Sequence, residues 1–417
     1  MNKNKQNKIK NWVTMFSLMT IILFSLRANA CPISEVFDTD FDSQVVSKMA
    51  LAQIKTSTMT VINRTEVVFA KSYGEQSSLN LVYPLHSINK VLIGVATLQL
   101  VEEGLIDINA DINSYLPYII ENPNFPDTPI TCKNLLAHRA GINDRANITF
   151  LNTIQNSTIP FPDYIYDFLN VNGSLYDPNY WEYEPGEDYT YATLDFEILS
   201  YIIEIVTGTT ILEYVQSNIL DPLGMSNTKN SFFNYDISDI AIPYLWDPIA
   251  SSTHPMELFD VGTSLTLKST SNDLAKFLTD LMCGYSYGNS TLLNATSIQS
   301  YMFNHQGAGH GLGIFVNWED KGWKGYLGNG PGYTSFMFFT EGIGVILFVN
   351  QGAFTTELTQ DYDILTNIMQ YFIYLMNHSL KINDICTIDD ESSYYFALLP
   401  ILLLSVYRFL SKLRKRD

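Results

Sequence analysis

The sequence is poor in basic residues, and this shortage narrows the range of possible partners. Only 24 Lys and Arg stand against 43 Asp and Glu, which gives a net charge of −19 over 417 residues. Ten of the basic residues lie in the two ends, 1–30 and 408–417, so the body between them is still more acidic. A surface of this sign repels the phosphate backbone, and nucleic acid is therefore excluded as an expected partner.

Several signatures of known chemistry are also missing. The four cysteines match no zinc-binding spacing, and His305 and His310 lack the spacing of metal ligands. There is no Gly-x-Ser-x-Gly elbow, no His-Glu-x-x-His pair and no phosphate-binding loop. No metal or organic cofactor is therefore expected. A disulfide between Cys31 and Cys386 would join the chain ends, but spacing alone leaves the pairing open.

The start of the chain has the pattern of a targeting signal. The apolar run 12–26 follows a basic segment and precedes the small residues Ala28, Asn29 and Ala30. This order predicts a cleaved secretory signal peptide over 1–30. An uncleaved membrane anchor is the alternative, although the apolar run is short for a span.

The end of the chain predicts a membrane anchor. The stretch 394–410 is mainly apolar and carries no charge except that of Arg408, whose long side chain can extend to the membrane interface. A polar linker, 383–393, precedes it, and the basic tail 411–417 is typical of the cytoplasmic side. We therefore expect a single-pass membrane protein of the secretory pathway with its body extracellular or lumenal. A buried C-terminal helix is the alternative.

The body also carries seven Asn-x-Ser/Thr sequons. A chain rich in Asn and Thr forms several by chance, so they favour a glycosylated ectodomain only weakly. The seven are Asn63, Asn147, Asn156, Asn172, Asn289, Asn294 and Asn377.

Between 31 and 382, apolar patterns predict one domain with strands near both ends. The segments "MTVINRTEVVFAKSYG" (59–74) and "YTSFMFFTEGIGVILFVN" (333–350) are typical of β-hairpins. The segments 87–103 and 194–208 have the apolar spacing of helices, and each stops at a glycine.

These elements predict an α/β (α+β) fold. We expect an antiparallel sheet closed by the two ends of the domain and flanked by helices, with a mainly helical lobe inserted at about 105–300. A last helix is expected at about 356–376. The crevice between the sheet and the lobe is where a site is expected.

Two Ser-x-x-Lys sequences occur in different settings. Ser87 and Lys90 lie where the strand-like "LVYPLH" passes into a helix, and residues i and i+3 share one helix face. The free N–H groups and dipole of a helix start favour an anion there. Ser226 and Lys229 lie in a loop and are interpreted as a solvated turn. From spacing alone, Ser87 is explained equally well as a helix N-cap.

Five blocks follow one another in a fixed order over most of 60–350. They are "SINKVLIGVATLQLVEEGLIDINADINSYLP", "ITCKNLLAHRAGI", "PGEDYTYATLDFEILSYIIEIVTG", "ILDPLGMSNT" and "GYLGNGPGYTSFMFF". Together they resemble the serine β-lactamase-like family, which includes class C β-lactamases, D-peptidases of the penicillin-binding type and related esterases. The resemblance implies the β-lactamase/transpeptidase-like fold and hydrolysis through an acyl-enzyme.

The resemblance also implies a role for each matching position. Ser87 would be acylated, Lys90 would bind its hydroxyl and help to remove the proton, and Tyr191 would be the second proton-transfer group. The oxyanion hole would use the backbone N–H groups of Ser87 and of Asn329, which follows Gly328 on the third-motif strand. A cap has no need of Lys90 or Tyr191, so the combination favours the nucleophile.

The chain departs from the family pattern at two motifs. Thr193 replaces the asparagine of Tyr-x-Asn, and Tyr326-Leu327-Gly328 replaces Lys/His-Thr-Gly. The cation and hydroxyl that grip a substrate carboxylate are thus missing, which favours a small neutral ester or amide over β-lactams and D-Ala-D-Ala peptides. Tyr326, Gly328 and Thr193 remain candidate substrate contacts. Lys324, on the strand face of Tyr326, is the candidate for returning a charge to the site.

The leading hypothesis is a membrane-anchored, extracytoplasmic serine hydrolase whose partners are its substrate and the membrane. One alternative is a D-peptidase or β-lactamase with an unusual third motif, and another is a binding module without catalysis. The oligomeric state is left open. His86 is a weaker candidate for lining the cleft, and His138 is expected to support a turn.

Overall fold

The computed structural model describes most of the body of the chain. The described residues are 36–63, 66–144, 163–247, 252–255, 265–288, 290–318, 321–352 and 362–382, together with Phe161. They divide into a large unit within Asp40–Asn377 and a small unit formed by the described residues at the two ends.

The predicted targeting segments lie outside the described residues. This applies to the signal peptide, the linker, the transmembrane helix, the basic tail, and both Cys31 and Cys386. In the described part of the chain, no single helix has the length and apolar character of a membrane span. One bent pair, Thr193–Thr207 with Ile211–Leu220, reaches that length and character only when both helices are taken together.

The described elements alternate between strands and helices along the chain. The helices are α1 (Thr39–Leu51), α2 (Asn89–Glu102), α3 (Cys132–Leu136), α4 (Asp163–Leu169), α5 (Thr193–Thr207), α6 (Ile211–Val215), α7 (Ser271–Tyr287) and α8 (Tyr362–Ser379). The strands are β1 (Thr56–Asn63), β2 (Glu66–Gly74), β3 (Tyr83–Pro84), β4 (Tyr244–Asp247), β5 (Ser252–Pro255), β6 (Lys268–Ser269), β7 (Phe315–Trp318), β8 (Trp323–Gly330), β9 (Tyr333–Thr340), β10 (Ile343–Val349) and β11 (Gln351–Gly352).

A six-stranded antiparallel sheet forms the centre of the large unit. Its order is β2-β1-β10-β9-β8-β7. The predicted hairpins are β1–β2 and β9–β10, and the second turns at Glu341 and Gly342, whose φ of 84° favours glycine. Because β10 pairs with β1, with Met59 opposite Leu347, the two ends of the domain close the sheet as predicted.

Helices cover both faces of the sheet. On one face, Phe372 of α8 stacks on Phe336 at 4.1 Å and contacts Phe338 at 5.4 Å between ring centroids. On the other face, Met337 and Phe339 join the main hydrophobic core. Alternate residues of β9 thus point to opposite faces, as the two-residue period of a strand requires.

Helix α2 runs through the centre of the core and begins just after the candidate nucleophile. It is buried on nearly every side from Asn89 to Leu98, which agrees with its apolar residues all round. It packs against α5, which closely matches the predicted helix 194–208 and ends where Gly208 adopts a φ of 70°. The two helices bring their N-terminal residues to the same region.

The described part of 105–300 is mainly helical, but it also contains three short strands. Strands β4 and β5 form a small sheet with β11, and β6 pairs with β3. These strands were not predicted from the sequence, because two to four residues are too few to show a period. The pairing of β6 with β3 holds the chain immediately before Ser87.

Candidate active site

Ser87 lies in a single 3-10 turn that links β3 to α2. Just before it, the Leu85 N–H donates to the Leu267 carbonyl at 2.9 Å, which ties the turn to the β6 segment. His86 has a φ of 47°, a left-handed conformation that is unfavourable for a residue other than glycine. The turn that presents Ser87 is therefore strained and held by its neighbours.

Strand β8 approaches this turn closely at two glycines. A Cβ on Gly328 would lie 2.2 Å from the Leu85 carbonyl oxygen, and a Cβ on Gly330 would lie 2.4 Å from the His86 ring. The first contact is with the backbone, so the approach requires glycine at 328, whereas a Cβ at 330 would require the His86 ring to move. Asn329 lies between the two glycines, and its side-chain oxygen accepts a hydrogen bond of 3.1 Å from β9. The predicted oxyanion residue is thus beside the Ser87 turn.

Ser87, Lys90 and Tyr191 meet at this turn, although Tyr191 is 104 residues from Ser87. The Ser87 Oγ lies 2.6 Å from the Tyr191 hydroxyl, and the Lys90 Nζ donates to the Ser87 Oγ at 3.4 Å. The same Nζ lies 5.0 Å from the centroid of the Tyr191 ring. Lys90 is only 7% exposed, so its charge acts on both oxygens with little screening by water.

The structure does not support the capping alternative for Ser87. Helix α2 begins at Asn89, and its N-cap residue is Ile88, an apolar side chain that cannot accept a hydrogen bond. The Ser87 hydroxyl instead bonds with Tyr191 and Lys90. Ser87 is therefore available for chemistry.

His138 fixes the backbone on both sides of Tyr191. The Thr190 N–H donates to the His138 carbonyl at 2.8 Å, and the Ala192 N–H donates to the His138 Nδ1 at 3.3 Å. The imidazole also lies 4.5 Å from the Tyr191 ring between centroids. His138 has a φ of 55°, which agrees with the expected turn. Its side chain does more than support that turn, because it positions Tyr191.

Asp195 lies behind His138, and no sequence motif pointed to it. The His138 Nδ1 is 2.8 Å from an oxygen of Asp195, and the His138 Nε2 is 3.2 Å from the Tyr326 hydroxyl. Complete burial raises the pKa of the Asp195 carboxyl well above its usual value, and the Asp144 carboxylate adds to this. The Lys90 ammonium acts in the opposite direction.

Strand β8, all of which is described, supplies no cation to the site. Tyr326 is 1% exposed and its hydroxyl meets His138, so the expected contact with substrate does not hold and the side chain lies behind the site. Lys324 donates to the Gly322 carbonyl at 3.2 Å, and its Nζ lies 4.4 Å from the centroid of the Tyr285 ring. Its charge is therefore engaged away from Ser87.

Thr193 opens helix α5 two residues after Tyr191 and is partly exposed. The next residue, Leu194, donates its N–H to the Asp144 carboxylate at 2.8 Å. This bond satisfies a free N–H of the first turn and holds the start of the helix. Thr193 therefore stands on a fixed backbone near the site, with a hydroxyl where the family motif has an amide.

Two buried histidines near the site are neutral at physiological pH. Burial, the Lys268 charge and then the Lys90 charge lower the pKa of His86 to about 3. Burial lowers the pKa of His310 to about 4, against the opposing bond to the Gly311 carbonyl. Among the described residues, no group of three His, Cys, Asp or Glu side chains is placed to hold a metal.

Comparison with known proteins agrees with this architecture. The Beta-lactamase family profile matches residues 41–366. Protein flp of Staphylococcus aureus (strain NCTC 8325) is 24% identical over 239 residues, which is 55% of this chain and 46% of that protein. The match therefore spans about half the length of this curated relative.

Solved structures with the same fold cover most of the chain. A penicillin-binding protein homologue from Pyrococcus abyssi has a TM-score of 0.61 at 21% identity, covering 82% of this chain and 77% of that one. A D-amino acid amidase from Ochrobactrum anthropi SV3 has a TM-score of 0.63 at 20% identity, covering 81% and 100%. At these identities the likeness shows the fold, and it confirms the predicted antiparallel sheet with flanking helices. Because the family profile covers well over half of its residues, this chain belongs to the β-lactamase family.

Proposed function

We propose that this protein is a serine hydrolase that acts on a small neutral ester or amide through an acyl-enzyme. The observation that carries the proposal is the contact of the Ser87 Oγ with the Tyr191 hydroxyl at 2.6 Å and with the Lys90 Nζ at 3.4 Å. A hydroxyl nucleophile, a proton-transfer partner and a positive charge are thus within reach of one another. Nucleophilic catalysis by serine needs these parts.

In acylation, the Ser87 Oγ attacks the substrate carbonyl carbon. The Lys90–Tyr191 pair begins this step with one of its titratable protons missing. It can therefore take the Ser87 proton as the new bond forms. It returns this proton to the leaving group as the carbonyl–heteroatom bond breaks. The Lys90 ammonium stabilises negative charge on the Tyr191 oxygen.

In deacylation, water attacks the acyl-Ser87 ester and gives one proton to the same pair. That proton returns to the Ser87 Oγ as the acid product leaves. The backbone N–H groups of Ser87 and Asn329 are the proposed donors to the oxyanion of both steps. The close approach of Gly328 and Gly330 to the turn supports this placement, and one such donor contributes about 3–4 kcal/mol in other acyl-transfer sites.

The preference for a neutral substrate follows from β8. A substrate carboxylate needs a cation or several donors, but Tyr326 is buried against His138 and Lys324 lies over Tyr285. Leu327 offers no hydrogen bond. One of the similar solved structures is a D-amino acid amidase, which supports keeping amides beside esters in the proposal.

We also propose that the hydrolase domain lies outside the cytoplasm, anchored by the C-terminal apolar segment. The signal-like residues 1–30 and the apolar stretch 394–410 with its basic tail support this placement. Removal of 394–417 should move the protein from the membrane fraction to the soluble secreted fraction. Retention in the membrane fraction would contradict the proposed anchor.

The test of the reaction is covalent labelling of the purified chain and of its Ser87→Ala variant. A fluorophosphonate probe loses fluoride and phosphonylates an activated serine, and a fluorescent penicillin reports β-lactam acylation. Ser226→Ala is the matched control, since Ser226 has the same spacing to a lysine but is exposed. We expect fluorophosphonate labelling alone, lost only in Ser87→Ala.

Other outcomes have defined meanings. Labelling by both probes would favour a β-lactamase or D-peptidase activity in place of the neutral-substrate proposal. Labelling by neither would favour a binding module and would overturn the hydrolase proposal.

A further inference from the structure

Which ring nitrogen of His138 carries the proton follows from its contacts. A backbone N–H only donates, and the Ala192 N–H points to the His138 Nδ1 at 3.3 Å. This contact favours an Nδ1 that accepts and carries no hydrogen. In the neutral imidazole the proton is then on Nε2, which donates to the Tyr326 hydroxyl at 3.2 Å.

Asp195 must then supply the proton of its hydrogen bond with the His138 Nδ1. Its oxygen lies 2.8 Å from the His138 Nδ1, and two acceptors do not form a hydrogen bond, so an accepting Nδ1 requires the acid to carry the hydrogen. The single lone pair of Nδ1 is then shared between the nearer Asp195 O–H and the more distant Ala192 N–H. The charged groups that face Asp195 are the Asp144 carboxylate and the Lys90 ammonium. Burial and Asp144 favour the protonated acid and only Lys90 opposes it, so the pKa of Asp195 is raised, in agreement with the geometry.

We propose that Asp195 acts as a neutral acid that keeps His138 in its Nε2–H form and thereby positions Tyr191 for proton exchange with Ser87. The inference rests on the proposed hydrolase function. In this form His138 accepts from the backbone on both sides of Tyr191, at its carbonyl and at its Nδ1. Asp195 and His138 are positioning residues, because they act on the reaction through Tyr191.

An ionised Asp195 would disturb this arrangement in two ways. It would need a proton on the His138 Nδ1, which would then face the Ala192 N–H as a second donor and break that bond. It would also attract the Lys90 ammonium, with which it interacts, away from the Ser87 Oγ. The neutral acid avoids both effects.

Tyr326 has a role in the same arrangement, as the hydrogen-bond acceptor of the His138 Nε2–H. The His138 Nε2–H needs an acceptor, and a phenol oxygen accepts whereas an ammonium only donates. Tyr326 is buried with its ring 5.0 Å from Phe315 and 5.9 Å from His310, which fixes its hydroxyl at this point. The tyrosine that stands in place of the family's cation therefore helps Asp195 to keep His138 in its Nε2–H form.

The test compares Asp195→Asn with Asp195→Leu in the 417-residue chain, with a neutral 4-nitrophenyl ester as substrate. The Asn amide donates to the His138 Nδ1 as the acid does, so kcat should stay within about threefold of the parent. Leu cannot donate, so kcat should fall about 10- to 100-fold while KM changes less than about threefold. Glu197→Gln is the matched control: Glu197 is a buried acid on the same helix that accepts from Tyr164 instead.

Two kinetic results would overturn the proposal. If Asp195 is an ionised acceptor, Asn forces the wrong tautomer and kcat falls about 10⁴-fold, as in serine proteases with the corresponding change. If Asp195→Leu keeps the parental kcat, the acid has no positioning role.

A spectroscopic measurement tests the tautomer without turnover. In ¹⁵N-histidine-labelled chain, with the signal assigned by His138→Gln, we expect a one-bond N–H coupling at Nε2 and none at Nδ1 in the parent and in Asp195→Asn. A proton on Nδ1 in the parent would overturn the inference. Hydrolysis that persists in Ser87→Ala would instead refute the proposed function, so the two failures are distinguishable.

Discussion

The two Ser-x-x-Lys segments have the same spacing and different surroundings. Ser87 bonds with the Tyr191 hydroxyl at 2.6 Å, and Lys90 is buried beside it. Ser226 is exposed, and the Lys229 Nζ donates to a loop carbonyl at 2.8 Å. The spacing by itself therefore carries no chemistry, and the difference comes from what the rest of the chain places beside the serine.

A tyrosine ring near the lysine does not explain the difference. Lys90 lies 5.0 Å from the Tyr191 ring and Lys229 lies 4.7 Å from the Tyr235 ring, so both have a cation–π contact. The Tyr235 hydroxyl donates to the Lys268 backbone carbonyl at 2.8 Å, however, whereas the Tyr191 hydroxyl meets a serine. The partner of the tyrosine hydroxyl therefore distinguishes the Ser87 motif from the Ser226 turn.

The largest expected effect is the difference in kcat between a variant of Ser87 and a variant of Ser226. Ser87→Ala removes the nucleophile and should lower kcat for a neutral ester by about 10⁴-fold or more, whereas Ser226→Ala should leave it unchanged. Steady-state hydrolysis of a 4-nitrophenyl ester by both purified variants checks this. Equal losses in the two variants would erase the distinction between the segments.

The second largest effect should be the difference in kcat between variants of the two lysines, Lys90 and Lys229. Lys90→Met keeps a long apolar stem in a buried position but removes the charge, so kcat should fall about 10²- to 10⁴-fold. Lys229→Met should change kcat less than about twofold, because the Lys229 ammonium bonds with the Asn234 carbonyl and lies over the Tyr235 ring, and the substitution leaves its backbone unchanged. A parental rate in Lys90→Met would show that proton transfer does not depend on this amine.

The glycines beside the Ser87 turn should give a smaller effect. Gly328→Ala places a Cβ 2.2 Å from the Leu85 carbonyl oxygen, so the turn must move. Overpacking of this kind lowers the free energy of unfolding by about 1–3 kcal/mol, and kcat should also fall. Urea unfolding and ester hydrolysis measure both.

Gly94→Ala is the control for that change, because its Cβ would meet its nearest neighbour at an ordinary 3.5 Å. Its free energy of unfolding should change by less than about 1 kcal/mol. If Gly94→Ala and Gly328→Ala behave alike, the close approach of β8 to Leu85 has no special importance.

The smallest expected effect is a pH dependence of stability that comes from His310, a buried residue near the candidate site. Burial lowers the pKa of His310 to about 4, below its ordinary value of about 6.5. Above pH 6.5 the imidazole is neutral in both the folded and the unfolded chain, so this difference in pKa does not change the free energy of unfolding there. Stability is lost as pH falls from 6.5 towards 4, because the unfolded chain then binds the proton first.

Between pH 7 and pH 5, the free energy of unfolding of the parent should fall about 1–2 kcal/mol more than that of His310→Gln. His305→Gln is the control, since His305 is exposed, and it should follow the parent. Urea unfolding at the two pH values checks this. Parallel curves for the parent and His310→Gln would show that His310 is not held neutral.

Strong periodicity made the main elements predictable. The hairpin at 333–350 turns at Glu341 and Gly342 as expected, and the helix 194–208 is α5. By contrast, strand β7 begins only at Phe315, because Gly313 just before it adopts a positive φ of 80° and the chain turns there. A local pattern predicts an element well when several turns or alternations repeat, and poorly when the conformation of one glycine decides where the element begins.

In the candidate site, the sequence motifs pointed to the residues that meet at the Ser87 turn, but not to the residues that lie behind them. Ser87, Lys90 and Tyr191 stand in recognisable motifs, but Asp195 is only one of two acids in the otherwise largely apolar stretch "TLDFEIL". Its meaning depends on complete burial beside His138, which a helical pattern does not report. Tyr326 was expected as a candidate substrate contact, because the sequence does not show that its hydroxyl is buried against His138.

By itself, the sequence determined that Ser87 and Lys90 share one face, because that contact is local to a helix start. It also determined that β8 carries tyrosine where relatives carry a cation. Only the tertiary structure decided that the Tyr191 hydroxyl meets Ser87 and that Tyr326 bonds with His138. The physical reason is that such contacts join segments far apart in the chain, and that burial, a property of the packed whole, sets which groups carry their protons.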